Sequence, residues 1–251
     1  SSNLERQAFL SMYLGKKVSI VLPVYNEEEN VRTAIEEFFG HPAVDEIIVV
    51  DNNSSDRSAA EIKLTSAKYV KEMKQGYGAA LRKGMREATG DLIVTVEPDG
   101  TFRASDLDRL LVYSQEYEVV LGTRTSRNPV WSGGDPGANM DFALRMGNWA
   151  VAKLLEYLFN GPSFTDVGCS YKLIHRLAYE KIKDTLTVDG NWFSPEYMIR
   201  VLQHQLSVVE IPVKYGARIG TSKITGKRSK AIKLGFRMIW FILVERIALW
   251  K

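Results

Sequence analysis

The chain has 251 residues, 45% hydrophobic and 25% charged, a globular mixture that excludes wholesale disorder. Its 33 Lys and Arg against 30 Asp and Glu leave a net charge of +3, which excludes the strong basic excess of a dedicated nucleic-acid binder. One cysteine, Cys169, rules out an internal disulfide and a Cys-rich zinc site and suits a reducing, cytosolic setting; no secretory leader pattern opens the sequence.

In chain order, Val18–Val24 is a short apolar run that reads as a buried strand. A helix follows over Glu27–Phe39, with Asn26 as its N-cap and acids at 27, 28 and 29 suited to the first turn. Glu46–Asp51 is a second strand, Asn52–Asp56 an Asx-rich turn, and a helix resumes near Arg57. Residues 69–73 read as a third strand and Gly76–Ala88 as a helix. Asp91–Val96 is a strand ended by Glu97-Pro98-Asp99-Gly100, a helix starts at Ser105, and Val119–Gly122 is another strand. Residues 125–139, rich in Gly, Pro, Asn and Ser, read as a mobile loop. A helical pattern covers Ala143–Phe159, a strand Ser207–Val213, a basic loop Gly216–Arg228, and a helix Lys230–Trp250. Alternating strands and helices predict an α/β fold with a mostly parallel central sheet flanked by helices on both faces. In such sheets ligands bind beyond the carboxyl ends of the strands. Pro23–Tyr25, Asp51–Asn53, Glu97–Asp99 and Gly122–Arg124 all fall at such ends and are expected to converge on one cleft.

The carboxylates come first. Asp51 and Asp99 end apolar strands, where sheet packing gives an acid no role. Glu97 and Asp99, one residue apart, can share Mg²⁺ or Mn²⁺, which favour a few carboxylates plus phosphate oxygens; the plainer reading of Pro98-Asp99-Gly100 is a turn. Tyr25 at a cleft edge could flank a nucleobase, and Asp51 could accept hydrogen bonds from a base or ribose. Gln75-Gly76-Tyr77-Gly78 is neither a Walker loop nor a dinucleotide fingerprint. Cys169 reads as a buried small residue and Trp192-Phe193 as packing. Asp166 reads as a structural acid pairing Lys172, or else as shaping an acceptor site. Arg124 and Arg218 could be ordinary surface ion pairs.

Leu22-Pro23-Val24-Tyr25-Asn26-Glu27, Val50–Asp56, Gln75–Gly78 and Thr89-Gly90-Asp91, taken in order, resemble the motifs of family 2 glycosyltransferases, whose fold is the GT-A nucleotide-sugar fold. Glu97-Pro98-Asp99 stands where that family carries its metal-binding acids. Gly122-Thr123-Arg124, Asp166–Lys172 and Ile211-Pro212-Val213 with Arg218, Ser222 and Lys223 resemble the polyprenyl-phosphate branch, the dolichol-phosphate mannose synthase type. The resemblance implies transfer, with inversion, of a sugar from a UDP- or GDP-sugar to the phosphate of a long isoprenoid such as dolichyl or undecaprenyl phosphate. It implies that Pro23, Tyr25, Glu27, Asp51, Asn53, Gly76 and Gly78 hold the nucleotide. Glu97 and Asp99 would hold the metal and diphosphate. Arg124, Arg218 and Lys223 would handle the reacting phosphates, with Arg145 and Ser222 at the acceptor phosphate. A phosphate acceptor is already ionised and needs no strong base; cations must hold two anions together, a task for bidentate Arg. The sequence departs from the family in having Glu97 for an Asp, Thr101 where a Gln is usual, and Cys169-Ser170 for Ser-Gly, so a GDP-mannose donor is not implied.

The implied organisation is an N-terminal segment over 1–17, a catalytic domain over 18–225 and a basic amphipathic helical extension over 226–251. The extension mixes Ile232, Phe236, Trp240 and Phe241 with Lys233, Arg237 and Arg246, and its apolar run falls below the ~20 residues of a spanning helix. It suits peripheral attachment to the cytoplasmic membrane face, or packing on the core. Two other functions fit less of the chain: a family 2 enzyme acting on a saccharide or protein hydroxyl, with Asp166 or Glu196 as base, and a non-catalytic nucleotide-binding module.

Overall fold

The computed structural model describes residues 13–125, 142–217 and 228–248. Its framework is a seven-stranded sheet in the order β3-β2-β1-β4-β6-β5-β7. The strands are β1 (Val18–Val24), β2 (Glu46–Asp51), β3 (Lys68–Lys71), β4 (Leu92–Thr95), β5 (Val119–Thr123), β6 (Lys172–His175) and β7 (Val208–Pro212). All neighbours pair in parallel except β6, which runs antiparallel between β4 and β5. The helices are α1 (Val31–Phe39), α2 (Ser58–Lys63), α3 (Tyr77–Glu87), α4 (Leu107–Tyr113), α5 (Phe142–Phe159), α6 (Arg176–Ile182), α7 (Phe193–Gln203) and α8 (Arg228–Ala248).

Every residue of β1 is buried, as expected of a central strand covered on both faces. Its alternation sorts the two cores. Val18, Ile20, Leu22 and Val24 join Val31, Ile35 and Phe38 of α1 and Leu107, Leu110 and Leu111 of α4. Val21 faces the other way, into a cluster with Leu81 and Met85 of α3, Val151 and Leu155 of α5, Tyr197 and Met198 of α7, and Met238 and Ile242 of α8.

The sheet opens where a ligand would enter. The β1–β2 ladder continues to Val24 opposite Asp51, whereas β1–β4 ends at Val21 opposite Thr95. Pro23, which has no N–H to donate, therefore sits beyond the end of β4. The strand order reverses between β1 and β4, so this parting is the crevice at the switch point. Because β6 is antiparallel, its leading residues 164–171 arrive at the same edge as the ends of β4 and β5.

One expectation is corrected. The first helix starts at Val31, four residues after the expected Glu27: Asn26 has φ 54° and accepts from the Ser55 N–H, so it closes the turn against 52–56 rather than capping α1. The β6–α6 unit and α7 carry no signal in the sequence reading above. No helix of the described residues is long and apolar enough to cross a membrane. The expected loop over 125–139, beyond Thr125, and most of the basic loop over 216–228 lie outside the described residues.

Candidate active site

The residues expected to hold the nucleotide lie at the ends of β1 and β2. Asp51 is only 2% exposed. Its Oδ1 accepts the Ser54 N–H at 2.9 Å and its Oδ2 the Tyr69 hydroxyl at 3.0 Å, so it organises the turn while each oxygen retains a second lone pair. Asn53, the exposed residue at the tip of that turn, takes the left-handed region at φ 61°. Tyr25, 39% exposed, stands at the rim. The Glu27 N–H donates to Ser58 Oγ at 2.8 Å and its carboxylate accepts from Asn30, which braces this wall against α2.

Asn52 ties in the glycine segment: its Oδ1 accepts the Gly76 N–H at 2.7 Å and its amide donates to the Lys74 carbonyl at 2.9 Å. Gly76 has φ 155°, and a Cβ on Gly78 would stand 2.2 Å from the Val188 carbonyl oxygen. These glycines let the start of α3 lie against the 188–189 backbone, where the Ala79 N–H donates to the Asp189 carbonyl. Gly78→Ala is expected to cost about 1 to 3 kcal/mol by overpacking, read as a lower urea midpoint; an unchanged midpoint would show that the 188–189 segment yields freely.

The second half gathers at the ends of β4 and β5. Asp99, 2% exposed, is oriented by Thr101, whose N–H and hydroxyl both donate to Oδ1, at 3.1 and 2.5 Å. Thr101, standing where the family's Gln was expected, thus serves the acid beside it. Glu97 is half-buried. Its charge is felt by Tyr77, Lys172 and Tyr215, and that of Asp99 by Tyr215. Arg124 bears on the same three groups and lies over the Tyr215 ring at 5.1 Å. The carboxylates at 97–99 and the guanidinium at 124 therefore share one neighbourhood.

Arg124 is no surface ion pair. Its Nε and Nη2 donate to the two oxygens of Asp166 at 2.8 and 2.9 Å, and its backbone N–H donates to the same carboxylate at 3.0 Å. Burial opposes both charges, but the pairing outweighs it and holds the Asp166 carboxyl below the usual range. The expectation that Asp166 pairs Lys172 is corrected: Lys172 is buried and donates to the Cys169 carbonyl and, at 3.2 Å, to Ser194 Oγ. Burial pushes the Cys169 thiol up to about 12, in keeping with an inert residue.

A Cβ on Gly168 would lie 2.8 Å from both Arg124 Nη2 and Asn148 Oδ1, so α5 abuts the pair. Arg145, three residues before Asn148, falls on the same helix face. Its Nε is buried with no hydrogen-bond partner among the described residues. Arg218, Ser222 and Lys223 lie outside the described residues. Glu196 is 0% exposed, and its oxygens accept from Thr187 N–H, Thr187 Oγ1 and Val188 N–H, all within 2.9 Å; it is a structural acid. Tyr77 and Tyr215 were not singled out from the sequence, although each lies inside or beside a motif quoted for its neighbours.

The fold is shared with solved structures. Glucosyl-3-phosphoglycerate synthase of Mycobacterium tuberculosis, in complex with Mn²⁺, UDP and glucosyl-3-phosphoglycerate, aligns with TM-score 0.69 at 17% identity, covering 93% of this chain and 80% of that one. The same enzyme with Mn²⁺ and UDP-glucose gives 0.68 at 17%, covering 96% and 82%. An uncharacterized glycosyltransferase of Mycobacterium tuberculosis is 29% identical over 221 residues, 84% of this chain and 91% of that protein. A dolichyl-phosphate hexose transferase of Haloferax volcanii is 23% identical over 241 residues, 96% of this chain and 100% of that protein. Residues 19–183, well over half of the chain and spanning both halves of the site, match the model described as Glycosyl transferase family 2, and the chain belongs to that family.

Proposed function

We propose that this glycosyltransferase moves a sugar from a nucleoside-diphosphate sugar to a polyprenyl phosphate, with a divalent metal at Glu97 and Asp99. The observation that carries the reading is the state of the carboxylates that a hydroxyl acceptor would need as its base. Asp166 is locked in a bidentate pair with Arg124, and Glu196 is buried on backbone donors. A phosphate acceptor needs neither.

The residues fit a hard divalent ion. Two carboxylates stand one residue apart at a strand exit, Asp99 is held by Thr101, and the described residues hold no cluster of three ligands. That suits an ion that completes its shell with diphosphate oxygens and water. Held by Glu97 and Asp99, such an ion would supply positive charge to offset that growing on the leaving diphosphate. Mn²⁺ and UDP are bound in the mycobacterial synthase, which supports the same assignment here. Tyr25, Asp51 and Asn53 form the nucleoside wall, with Pro23 and Glu27 behind it. Arg124 faces the acceptor phosphate and Arg145 approaches it from α5; Arg218, Ser222 and Lys223, outside the described residues, are assigned to the phosphates by their motif alone. Asp166 fixes the Arg124 guanidinium so that little ordering remains when an anion arrives.

The acceptor lipid is supported by the Haloferax volcanii relative and by α8. That helix turns Met238 and Ile242 into the core yet leaves Phe236 69% and Trp240 70% exposed, with Ile232, Val244 and Ile247 beside them. Lys230, Lys233, Arg237 and Arg246 give the same helix a positive charge, and Glu245 is engaged by Arg200. Large apolar and basic residues together suit an anionic bilayer surface and peripheral attachment. Because Ile242 is wholly buried, removing α8 would expose core; Phe236→Ser with Trp240→Ser is the cleaner probe. That variant is expected to lose most binding to vesicles containing anionic lipid while donor affinity is unchanged; equal sedimentation with vesicles would remove the membrane face from this reading.

A second acceptor class is favoured by the structural neighbours, whose complexes contain phosphoglyceric acid. The discriminating assay incubates the protein and Mn²⁺ with UDP- and GDP-sugars, adding polyprenyl phosphate, 3-phosphoglycerate or neither, and measures nucleoside diphosphate release. Release stimulated by polyprenyl phosphate supports the proposal; stimulation by 3-phosphoglycerate alone replaces it.

A further inference from the structure

Glu210 lies in the middle of β7, opposite Leu121 of β5, two residues before β5 reaches Thr123 and the Arg124 turn. Its Oε2 accepts the Thr165 N–H and the Thr165 hydroxyl, both at 2.7 Å, and its Oε1 accepts the Asp166 N–H at 3.0 Å. Three donors thus converge on one carboxylate. The Thr165 hydroxyl also lies 2.8 Å from those of Thr123 and Thr125, the residues on either side of Arg124. Asp166 in turn places both oxygens on Arg124 and receives the Gly168 N–H at 2.9 Å. A continuous run of hydrogen bonds therefore leads from β7 through the 165–168 backbone to the guanidinium.

We infer that Glu210 is a positioning residue for the acceptor phosphate, holding the 165–166 backbone so that Asp166 presents Arg124 in one orientation. It touches no reacting atom. The inference rests on the reading of Arg124 as an acceptor-phosphate ligand, and it adds a residue outside every motif that led to that reading.

Packing alone does not account for an acid here. A carboxylate beside the buried Asp166 opposes a like charge. Burial pushes the Glu210 carboxyl up to about 7, with Asp166 acting in the same direction and the Thr165 and Asp166 donors against it. A folded value above the ordinary 4.5 means that this group takes stability away as pH rises from that value to about 7. The acid is retained at a cost to stability, as expected of a site residue. Thr165 and Asp166 face it from the 164–168 segment, Leu121 from β5, and Arg124 lies beyond Asp166. Protonation would convert one acceptor oxygen into a donor aimed at donors, so ionised Glu210 is the positioning form.

The test is Glu210→Gln in the full chain, read in two ways. The Arg124 Nε–H resonance, assigned by its loss in Arg124→Lys, is expected to exchange slowly with solvent in the wild type and rapidly in Glu210→Gln. The KM for a short-chain polyprenyl phosphate in micelles is expected to rise roughly tenfold, as for loss of a hydrogen bond to a charged group, with the donor KM unchanged and thermal stability at pH 8 no lower. Because the acceptor phosphate itself takes up a proton at about pH 6, the acceptor KM of both proteins should rise in acid, and that of the wild type should begin to rise at higher pH and more steeply than that of Glu210→Gln. Adding Glu210→Gln to Asp166→Asn should cause no further loss, because both act through one path. An Arg124 resonance that does not respond, a responding resonance with an unchanged acceptor KM, or losses that multiply in the double variant would each overturn the inference. If the resonance responds but the wild type transfers nothing to polyprenyl phosphate, the acceptor reading fails and the positioning role stands.

Discussion

Asp99→Ala is expected to lower sugar transfer on the order of 10³-fold or more, the scale at which a group stabilising transition-state charge is removed. The loss should fall on kcat. The nucleoside wall proposed at Tyr25, Asp51 and Asn53 is built on other strands, so binding of the free nucleoside should survive. Alanine also removes the oxygen that accepts from Thr101 N–H and Oγ1, and the turn could loosen. Asp99→Asn answers that concern, because its amide oxygen keeps both Thr101 bonds and lacks the charge. The two variants should be equally inactive, with Asp99→Asn unfolding at the wild-type urea midpoint. A fully active Asp99→Asn would mean that this position holds a turn and no metal.

Arg124→Ala is expected to destabilise the protein by about 3 to 5 kcal/mol, because it leaves Asp166 as a buried carboxylate without its partner. Urea unfolding measures this directly. Replacing both residues by apolar ones of similar size, Arg124→Met with Asp166→Leu, should recover most of that stability, since a buried pair gains little over good packing. Transfer should not recover with it. Recovered activity in the double variant would show the pair to be a structural ion pair alone.

The parts of the fold legible in the sequence are those where one physical demand dominates. β1, β2, β4 and β5 are apolar runs because they are buried on both faces, and charged residues at their ends stand out for that reason: Asp51, Glu97, Asp99 and Arg124. β6 hides because it has only four residues and both ends are polar. Lys172 is buried there through bonds to the Cys169 carbonyl and Ser194 Oγ, which no local pattern announces. The partner of Asp166 was misread for a similar reason. Lys172 is six residues away in sequence, whereas Arg124 is 42 away and meets Asp166 only because β6 runs antiparallel beside β5. Asn26 resembles an N-cap by type and position, yet its φ of 54° turns it toward Ser55. Glu210 shows the same mark as Asp51, an acid within an apolar strand, and could have been found by the same argument.

The shared pocket is what the whole account depends on: acids at the end of β4 and a guanidinium at the end of β5 serving one pair of reacting phosphates. Phosphorus relaxation tests it directly. With Mn²⁺ and UDP bound, the phosphorus nucleus of a short-chain polyprenyl phosphate should be strongly relaxed by the paramagnetic ion, and the effect should vanish when Mg²⁺ replaces Mn²⁺. An acceptor that binds the protein with no Mn²⁺-dependent relaxation would place its phosphate away from Glu97 and Asp99, and would contradict the single pocket.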